Sequence, residues 1–173
     1  MKIKVLTSLI VTVAFLAVGC HTEPTPDKPD KPTPTDGVVF TANYFDCEYY
    51  GDYYTPNIGN YYIHLSDSGF TESGYARPNS TYYRLDLYSD LYDDAEGGAL
   101  HLPVGTYTLD TEDTLAHGTF SVAWSKYLRS DAEGEFSEEL SFEAGELRVT
   151  ESGAQLKVTI AGTEHTVTYE GEM

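Results

Sequence analysis

Apolar and polar side chains alternate with a period of two along most of the chain after residue 37. This spacing places successive side chains on opposite faces of a β-strand, whereas a helix repeats about every 3.6 residues. Clusters of Gly, Pro, Asp and Asn separate the alternating segments and are typical of turns. The pattern therefore predicts an all-β domain. The predicted strands cover residues 38–50, 61–66, 81–89, 99–102, 106–109, 119–128, 139–142, 147–150, 156–161 and 165–170.

The last predicted strands are joined by short connections, with turns predicted at 144–145, 152–153 and 162–163. Connections of this length join antiparallel neighbours. About nine strands, each with one apolar and one polar face, favour a single antiparallel two-sheet β-sandwich. A closed lipocalin-like β-barrel is the alternative, and the alternation does not distinguish the two.

Segments 61–66 and 81–89 have clear inner and outer faces, because their apolar residues occupy every second position. If the two strands pair, their polar sides share one outer face. That face comprises Tyr62, His64, Tyr82, Arg84, Asp86 and Tyr88. A further apolar row in segment 119–128 includes Trp124 and predicts that this side chain belongs to the core.

The first nineteen residues have the layout of a secretory signal, with Lys2 and Lys4 ahead of an apolar run over 5–18. As a helix this run would reach roughly 21 Å, short of a hydrocarbon core about 30 Å thick. The run ends in Ala17-Val18-Gly19-Cys20, which resembles the lipobox of bacterial lipoproteins. We therefore expect cleavage before Cys20 and acylation of its thiol, which anchors the chain to a membrane.

Residues 20–36 predict an extended linker, since 22–36 holds five prolines and no large apolar side chain. Residues 37–173 then form one all-β domain. If lipid occupies Cys20, Cys47 has no disulfide partner, and we expect it to be a small buried hydrophobe. By analogy with bacterial sorting, His21 after the cysteine favours the outer membrane or cell surface. The sequence leaves the leaflet open, and a periplasm-facing placement is the alternative.

The chain carries 28 acidic and ten basic residues, a formal net charge of −18. Binding of phosphate backbones requires clustered Lys and Arg, so nucleic acid is excluded as a partner. The same charge argues against anionic membrane surfaces, which leaves the lipid as the expected membrane contact. The charge favours solubility without identifying a ligand.

Tyrosine is the outstanding residue, with fifteen in the chain. Aromatic rings stack on the apolar faces of sugars while Arg and Asp hydrogen-bond their hydroxyls, so the shared outer face is a candidate glycan-binding surface. The alternative is that these tyrosines form cross-strand pairs, which stabilise a half-buried sheet by about 0.2–1 kcal/mol each.

Segment 90–98 concentrates carboxylates, the hard oxygen ligands that Ca²⁺ prefers. Its spacing matches no EF-hand loop, so a solvated acidic loop is the competing interpretation. The candidate ligands are Asp90, Asp93, Asp94 and Glu96. No GxSxG, HExxH, P-loop or GxGxxG motif occurs in the sequence, so we expect no enzymatic activity and no cofactor beyond the covalent lipid.

Residues 49–110 contain, in order, YYGDYY, NYYIHLSD, YRLDLY and LPVGTYTLD. This order resembles uncharacterised lipobox-containing surface lipoproteins of gut-dwelling Gram-negative anaerobes. The resemblance implies a tyrosine-rich β-sandwich and surface placement, often beside glycan-uptake machinery, and implies no catalytic residues. Asp113-Thr114-Leu115 resembles the short O-glycosylation motif of the same bacterial group, which makes Thr114 a candidate modification site.

We expect the protein to be a non-catalytic binding module on an anchored lipoprotein, with a glycan or a surface protein as partner. The alternative is a structural or adhesion subunit that assembles through strand edges.

Overall fold

The computed structural model describes residues 37–93 and 99–173. Strands make up 61% of this part of the chain, and it contains no helix, which confirms the predicted all-β class. The strands are β1 (Val38–Ala42), β2 (Tyr44–Thr55), β3 (Ile58–Ser66), β4 (Thr81–Ser89), β5 (Gly105–Asp110), β6 (Thr119–Ser121), β7 (Lys126–Ser130), β8 (Phe136–Ser141), β9 (Ala144–Thr150), β10 (Gly153–Ile160) and β11 (Thr163–Glu170).

Within the described ranges these strands form one sheet, in the order β1-β11-β10-β9-β5-β6-β4-β3-β2. Off this path, β7 pairs with both β4 and β8. Two neighbouring pairs are parallel, β1 with β11 and β5 with β6. The domain is therefore a curled mixed sheet, a half-barrel, rather than the predicted pair of antiparallel sheets.

The chain itself joins the two ends of this sheet. Strand β1 lies at one end and β2 at the other, and Asn43 alone separates them. The Asn43 backbone N–H donates to the Ser66 carbonyl oxygen at 2.8 Å, and its side-chain amide donates to the Asp67 carbonyl oxygen at 3.1 Å. The predicted strand 38–50 divides here because its first part pairs with β11 and its second with β3. A segment that contributes strands to both ends curls the sheet instead of splitting it into two layers.

The inner face of the curled sheet holds the main core. It contains the apolar rows predicted for β3 and β4, which are buried as expected. From the far side of the curl, Leu147, Leu156 and Val167 of β9, β10 and β11 are also fully buried. Burial of each such side chain stabilises the fold by about 1.5–3 kcal/mol. Cys47, a free thiol, is partly buried against this core.

Several predicted elements differ from the structure. The β9–β10 and β10–β11 hairpins are antiparallel as predicted, but β8 pairs with β7. Gly145 lies inside β9 rather than in a turn. Glycine is needed at this position because an added Cβ would come within 2.6 Å of Val158 Cγ1 in the core. Segment 99–102 forms no strand, and the predicted strand 119–128 is interrupted by a turn at 122–125.

Candidate functional site

Strands β3 and β4 are antiparallel neighbours, as the candidate outer face requires. The register sets Tyr62 opposite Asp86 and His64 opposite Arg84. Because residues that are directly opposite project to the same side of a sheet, these four side chains share one face. The pairing that was assumed for the outer face is therefore confirmed.

One half of this outer face is covered by the chain that connects β3 to β4. Tyr82 is fully buried in a small cluster with Ala76 and Leu128, against which Phe70 packs. The Tyr82 hydroxyl donates to the Gly69 carbonyl oxygen at 2.7 Å and accepts from the Arg77 N–H at 2.8 Å. This burial corrects the prediction that Tyr82 belongs to the open outer face.

His64 lies under the same cover. Its ring meets that of Phe70 edge to face at 4.9 Å between centroids. Its nearest carboxylate is that of Asp46, 3.8 Å from Nδ1. His64 therefore contributes to packing at the covered half and is not among the residues of the cavity at the other half.

The other half opens into a cavity of about 340 Å³. Three predicted residues, Tyr62, Asp86 and Tyr88, line it. The side chains that complete the lining were not predicted from the sequence. They are Tyr50 and Tyr54 of β2, Asn60 of β3, Asp113 and Leu115 of the β5–β6 connection, and Trp124 of the β6–β7 turn.

Asp86 supplies a fixed carboxylate to this cavity. It is only 6% exposed. Asn60 Nδ2 donates to its Oδ1 at 2.7 Å, and the Tyr88 hydroxyl donates to its Oδ2 at 2.9 Å. Burial raises the pKa of Asp86, while these two donors favour the charged form and oppose the shift. The side chain is thus oriented before any ligand arrives.

A second carboxylate enters from the connection between β5 and β6. Asp113 and Leu115 both have left-handed backbones, with φ of 53° and 58°. Such φ values are uncommon for residues other than glycine and are found at ligand sites. Asp110 holds the loop, since its Oδ2 accepts from the backbone N–H groups of Thr114 at 2.6 Å and Leu115 at 3.1 Å. The Ser121 hydroxyl donates to Asp113 Oδ1.

Trp124 forms part of the rim and is 60% exposed, which corrects its predicted place in the core. The backbone N–H of Trp124 donates to Ser121 Oγ at 3.2 Å, and the backbone N–H of Ser125 donates to the Ser121 carbonyl oxygen at 3.0 Å. These bonds form the turn that interrupts the alternation. Leu128 beyond the turn pairs with Tyr82 on the outer face instead of continuing the inner row.

Five aromatic side chains contribute to the lining, namely Tyr50, Tyr54, Tyr62, Tyr88 and Trp124. Tyr50 and Tyr62 meet edge to face at 6.4 Å. The Tyr50 hydroxyl donates to Glu48 Oε2 at 2.6 Å, and this bond with the neighbouring carboxylate raises the pKa of Tyr50 to about 12. The Arg84 guanidinium lies 5.8 Å from the Tyr62 ring centroid. Aromatic faces and hydrogen-bond acceptors thus surround one small cavity.

Strand β2 brings two of these tyrosines to the cavity with the help of an irregularity. The β2–β3 register shifts on both sides of Gly51, whose φ is 65°. A bulge of this kind bends a strand and redirects its side chains. The tyrosine doublets at 49–50 and 53–54 were the signal in the sequence for this wall of the cavity. The doublets alone do not show where the strand bends.

The structure describes only part of the candidate calcium site. Asp94 and Glu96 lie outside the described residues. Asp90 Oδ1 lies 3.0 Å from His117 Nε2. Across the described ranges no three His, Cys, Asp or Glu side chains come together in a group that would hold a metal ion. The calcium site stays a prediction.

Thr114, the candidate glycosylation site, is exposed, but its hydroxyl donates to Asp110 Oδ2 at 2.6 Å. Cys20 lies outside the described residues. Burial raises the pKa of the Cys47 thiol to about 12, which is consistent with an unreactive hydrophobic side chain. In the part of the chain that the structure describes, no helix has the length and apolar character to cross a membrane.

Comparison of the chain with protein-family models, curated proteins and solved structures found no match.

Proposed function

We propose that this protein is a non-catalytic binding module that holds a glycan in the cavity between β2, β3, β4 and the loops flanking β6. The supporting observation is that five aromatic side chains and two carboxylates surround one cavity. Its volume is near the lower end of the range for small-molecule sites, about 300–1,000 Å³. Tyrosine and tryptophan rings stack against the apolar faces of sugar rings, and the oriented carboxylates accept hydrogen bonds from hydroxyls.

The proposed setting is a lipoprotein anchored through Cys20 to the outer membrane or cell surface. The support comes from the lipobox-like residues and from the proline-rich segment 22–36 that follows them. An extended spacer of that length would reach roughly 45 Å at ~3.1 Å per residue. In this arrangement the β domain samples ligand away from the membrane. We take the half-barrel as a variant of the barrel alternative, with the ligand bound on its outer side.

A binding role is proposed rather than a catalytic one because both carboxylates are already oriented by hydrogen bonds from neighbouring side chains. Asp86 accepts from Asn60 and Tyr88, and Asp113 accepts from Ser121. The sequence also lacks the recognised hydrolase motifs. Hydrolysis of any glycan by the purified protein would contradict this proposal.

The single tryptophan of the chain provides a direct test. Because Trp124 lies at the rim, titrating the full chain in detergent micelles with neutral oligosaccharides should change its fluorescence in a saturable way. Tyr62→Ala should weaken binding roughly three- to tenfold, the equivalent of about 0.5–1.5 kcal/mol of ring stacking. Tyr53→Ala is the matched control, since Tyr53 is 82% exposed and does not line the cavity.

Three results would count against the proposal. They are an unchanged emission with every sugar tested, equal weakening by Tyr53→Ala, and full affinity in Tyr62→Ala. Calorimetry on the same samples would show whether a silent titration reflects absent binding or an insensitive fluorophore.

The second candidate function is an adhesion or structural subunit that assembles through strand edges. Among the described strands, β8 pairs only with β7, and Phe136 at its start is 45% exposed. An open edge of this kind can accept a strand from another chain. Sedimentation that shows a clean monomer at all concentrations would remove this candidate, whereas fibres or stable oligomers would favour it over the binding module.

A further inference from the structure

We infer that the cavity selects a sugar that carries a protonated amine. This specificity rests on the proposed glycan-binding function and narrows its ligand class. Two independent properties of the lining favour a positive charge at the same place, and they are considered in turn.

The first property is the charge of the lining. Among its nine residues, Asp86 and Asp113 are carboxylates, and none is Lys, Arg or His. Arg84 is not part of the lining. It lies over the Tyr62 ring, and its Nε donates to the Trp124 carbonyl oxygen at 3.1 Å. Glu48, held against Tyr50, adds a further negative charge beside the rim. A phosphorylated or uronic-acid ligand would therefore be repelled, and an ammonium group attracted.

The second property is the aromatic surface. A cation within about 6 Å of a tyrosine or tryptophan ring face is attracted by the ring quadrupole, and more strongly where water is excluded. Arg84 already makes this contact with Tyr62 from outside, at 5.8 Å. The rings of Tyr54, Tyr88 and Trp124 also line the cavity. The same rings also stack on the sugar, so one surface serves both parts of the ligand.

Asp86 retains the acceptor capacity that an amine needs. A carboxylate offers about four lone-pair sites, and the described contacts of Asp86 use one donor on each oxygen. A hydrogen bond from an ammonium to a carboxylate is roughly twice as strong as one between neutral groups. An amino sugar would thus gain more from this site than the same sugar with a hydroxyl or an acetamido group at that position.

The test compares matched ligands on the full chain in detergent micelles. The probes are a glucosamine disaccharide, its N-acetylated form and a glucose disaccharide of the same linkage, at about pH 6, where an amine of this kind is protonated. We expect the glucosamine disaccharide to bind at least about tenfold more tightly than the other two. Equal affinity for all three would overturn the selectivity for an amine but leave glycan binding intact. Binding of none would overturn both.

Choline is the fourth probe and separates the amine from the sugar. If choline bound as tightly as the glucosamine disaccharide, the site would be a simple cation site and the sugar requirement would be wrong. Weaker binding of choline is the expected result, because it lacks the sugar face that stacks on the rings.

Asp113→Asn provides the variant test. Asparagine tolerates the left-handed backbone at this position and preserves the side-chain shape. We expect about a tenfold loss of affinity for the glucosamine disaccharide and no loss for the neutral one. Glu112→Gln is the matched control, as it removes a neighbouring exposed carboxylate that does not line the cavity. An equal loss in both variants, or no loss in Asp113→Asn, would show that net charge or sugar contacts alone determine binding.

Discussion

At some positions of this site the exposure of the side chain cannot be predicted from the residue type. Asp86 is charged in sequence yet almost entirely buried, while Trp124 is apolar in sequence yet mostly exposed. In both cases nearby hydrogen bonds explain the placement. Asn60 and Tyr88 stabilise the buried carboxylate, and Ser121 forms the turn that carries the indole outward. The chemistry of the cavity thus depends on small polar side chains around it.

Replacing Trp124 with alanine should leave stability nearly unchanged. An exposed side chain of this kind contributes within about 0.5 kcal/mol, whereas a buried aromatic costs about 3–5 kcal/mol on truncation to alanine. Phe120→Ala is the contrasting variant, because Phe120 belongs to the same apolar row and is fully buried. Urea unfolding of both variants checks the expectation. Equal losses of unfolding free energy would show that Trp124 packs in the core.

His165 makes stability depend on pH. Burial lowers the pKa of His165, whose Nδ1 lies 2.8 Å from the Tyr83 hydroxyl. The unfolded chain takes up a proton near pH 6.5 while the folded chain resists it, so stability falls as pH drops below that value. His165→Gln should remove this part of the fall. The measurement is unfolding free energy at several pH values between about 5 and 8, with the exposed His101→Gln as control. Parallel curves for wild type and His165→Gln would contradict the assignment.

The alternation of apolar and polar residues predicted a strand well where it continues unbroken from one end of the strand to the other. Strand β4 has the predicted bounds because its apolar and polar residues alternate without a break and Ser80 and Asp90 flank it. Trp124 was misplaced because Val122, Ala123 and Ser125 mark a turn with neither Gly nor Pro. Parallel pairing of β1 with β11 was beyond the sequence pattern, since it joins segments that are far apart along the chain. The loops that line the cavity could not be predicted either, because they too come from segments that are far apart along the chain.

One phenol joins two parts of the connection from β3 to β4. Tyr82→Phe keeps the ring in its cluster but removes the hydroxyl that joins Gly69 to Arg77. We expect a loss of about 0.5–1.5 kcal/mol in unfolding free energy, since the part-buried Arg77 N–H loses its acceptor. Hydrogen exchange should show faster exchange at Arg77 and little change in β9–β11. Tyr75→Phe is the control, because Tyr75 belongs to the same connection and is 71% exposed. Uniform acceleration throughout the domain would indicate a global rather than local effect.

At the scale of the whole molecule, side chains of different strands pack closely on the inner face of the curled sheet. Phe120 of β6 reaches across β5 to Gly145 of β9, where an added Cβ would come within 3.1 Å of the ring. Core packing of this kind tolerates little added volume. The half-barrel is therefore determined by close contacts between its members as well as by its hydrogen bonds.

Gly145→Ala should destabilise the domain by about 1–3 kcal/mol, because the new methyl group overlaps Val158 and Phe120. Gly105→Ala is the matched control in the neighbouring strand, where the nearest atom to an added Cβ is 3.9 Å away. That variant should change stability by no more than about 0.5 kcal/mol. Thermal unfolding of both variants tests the difference, and similar midpoints would show that the inner face has room to adjust.

The short passage through Asn43 also has a mechanical consequence. With the chain anchored at Cys20, as proposed, a pull on a bound ligand would be transmitted to the anchor through the first strand of the domain, β1. All five residues of that strand pair with β11, from Val38 with His165 to Ala42 with Tyr169. A load along the strand direction would stress these parallel pairs together in shear instead of opening them one after another. We expect the anchored end of the domain to resist force better than a hairpin peeled from its tip.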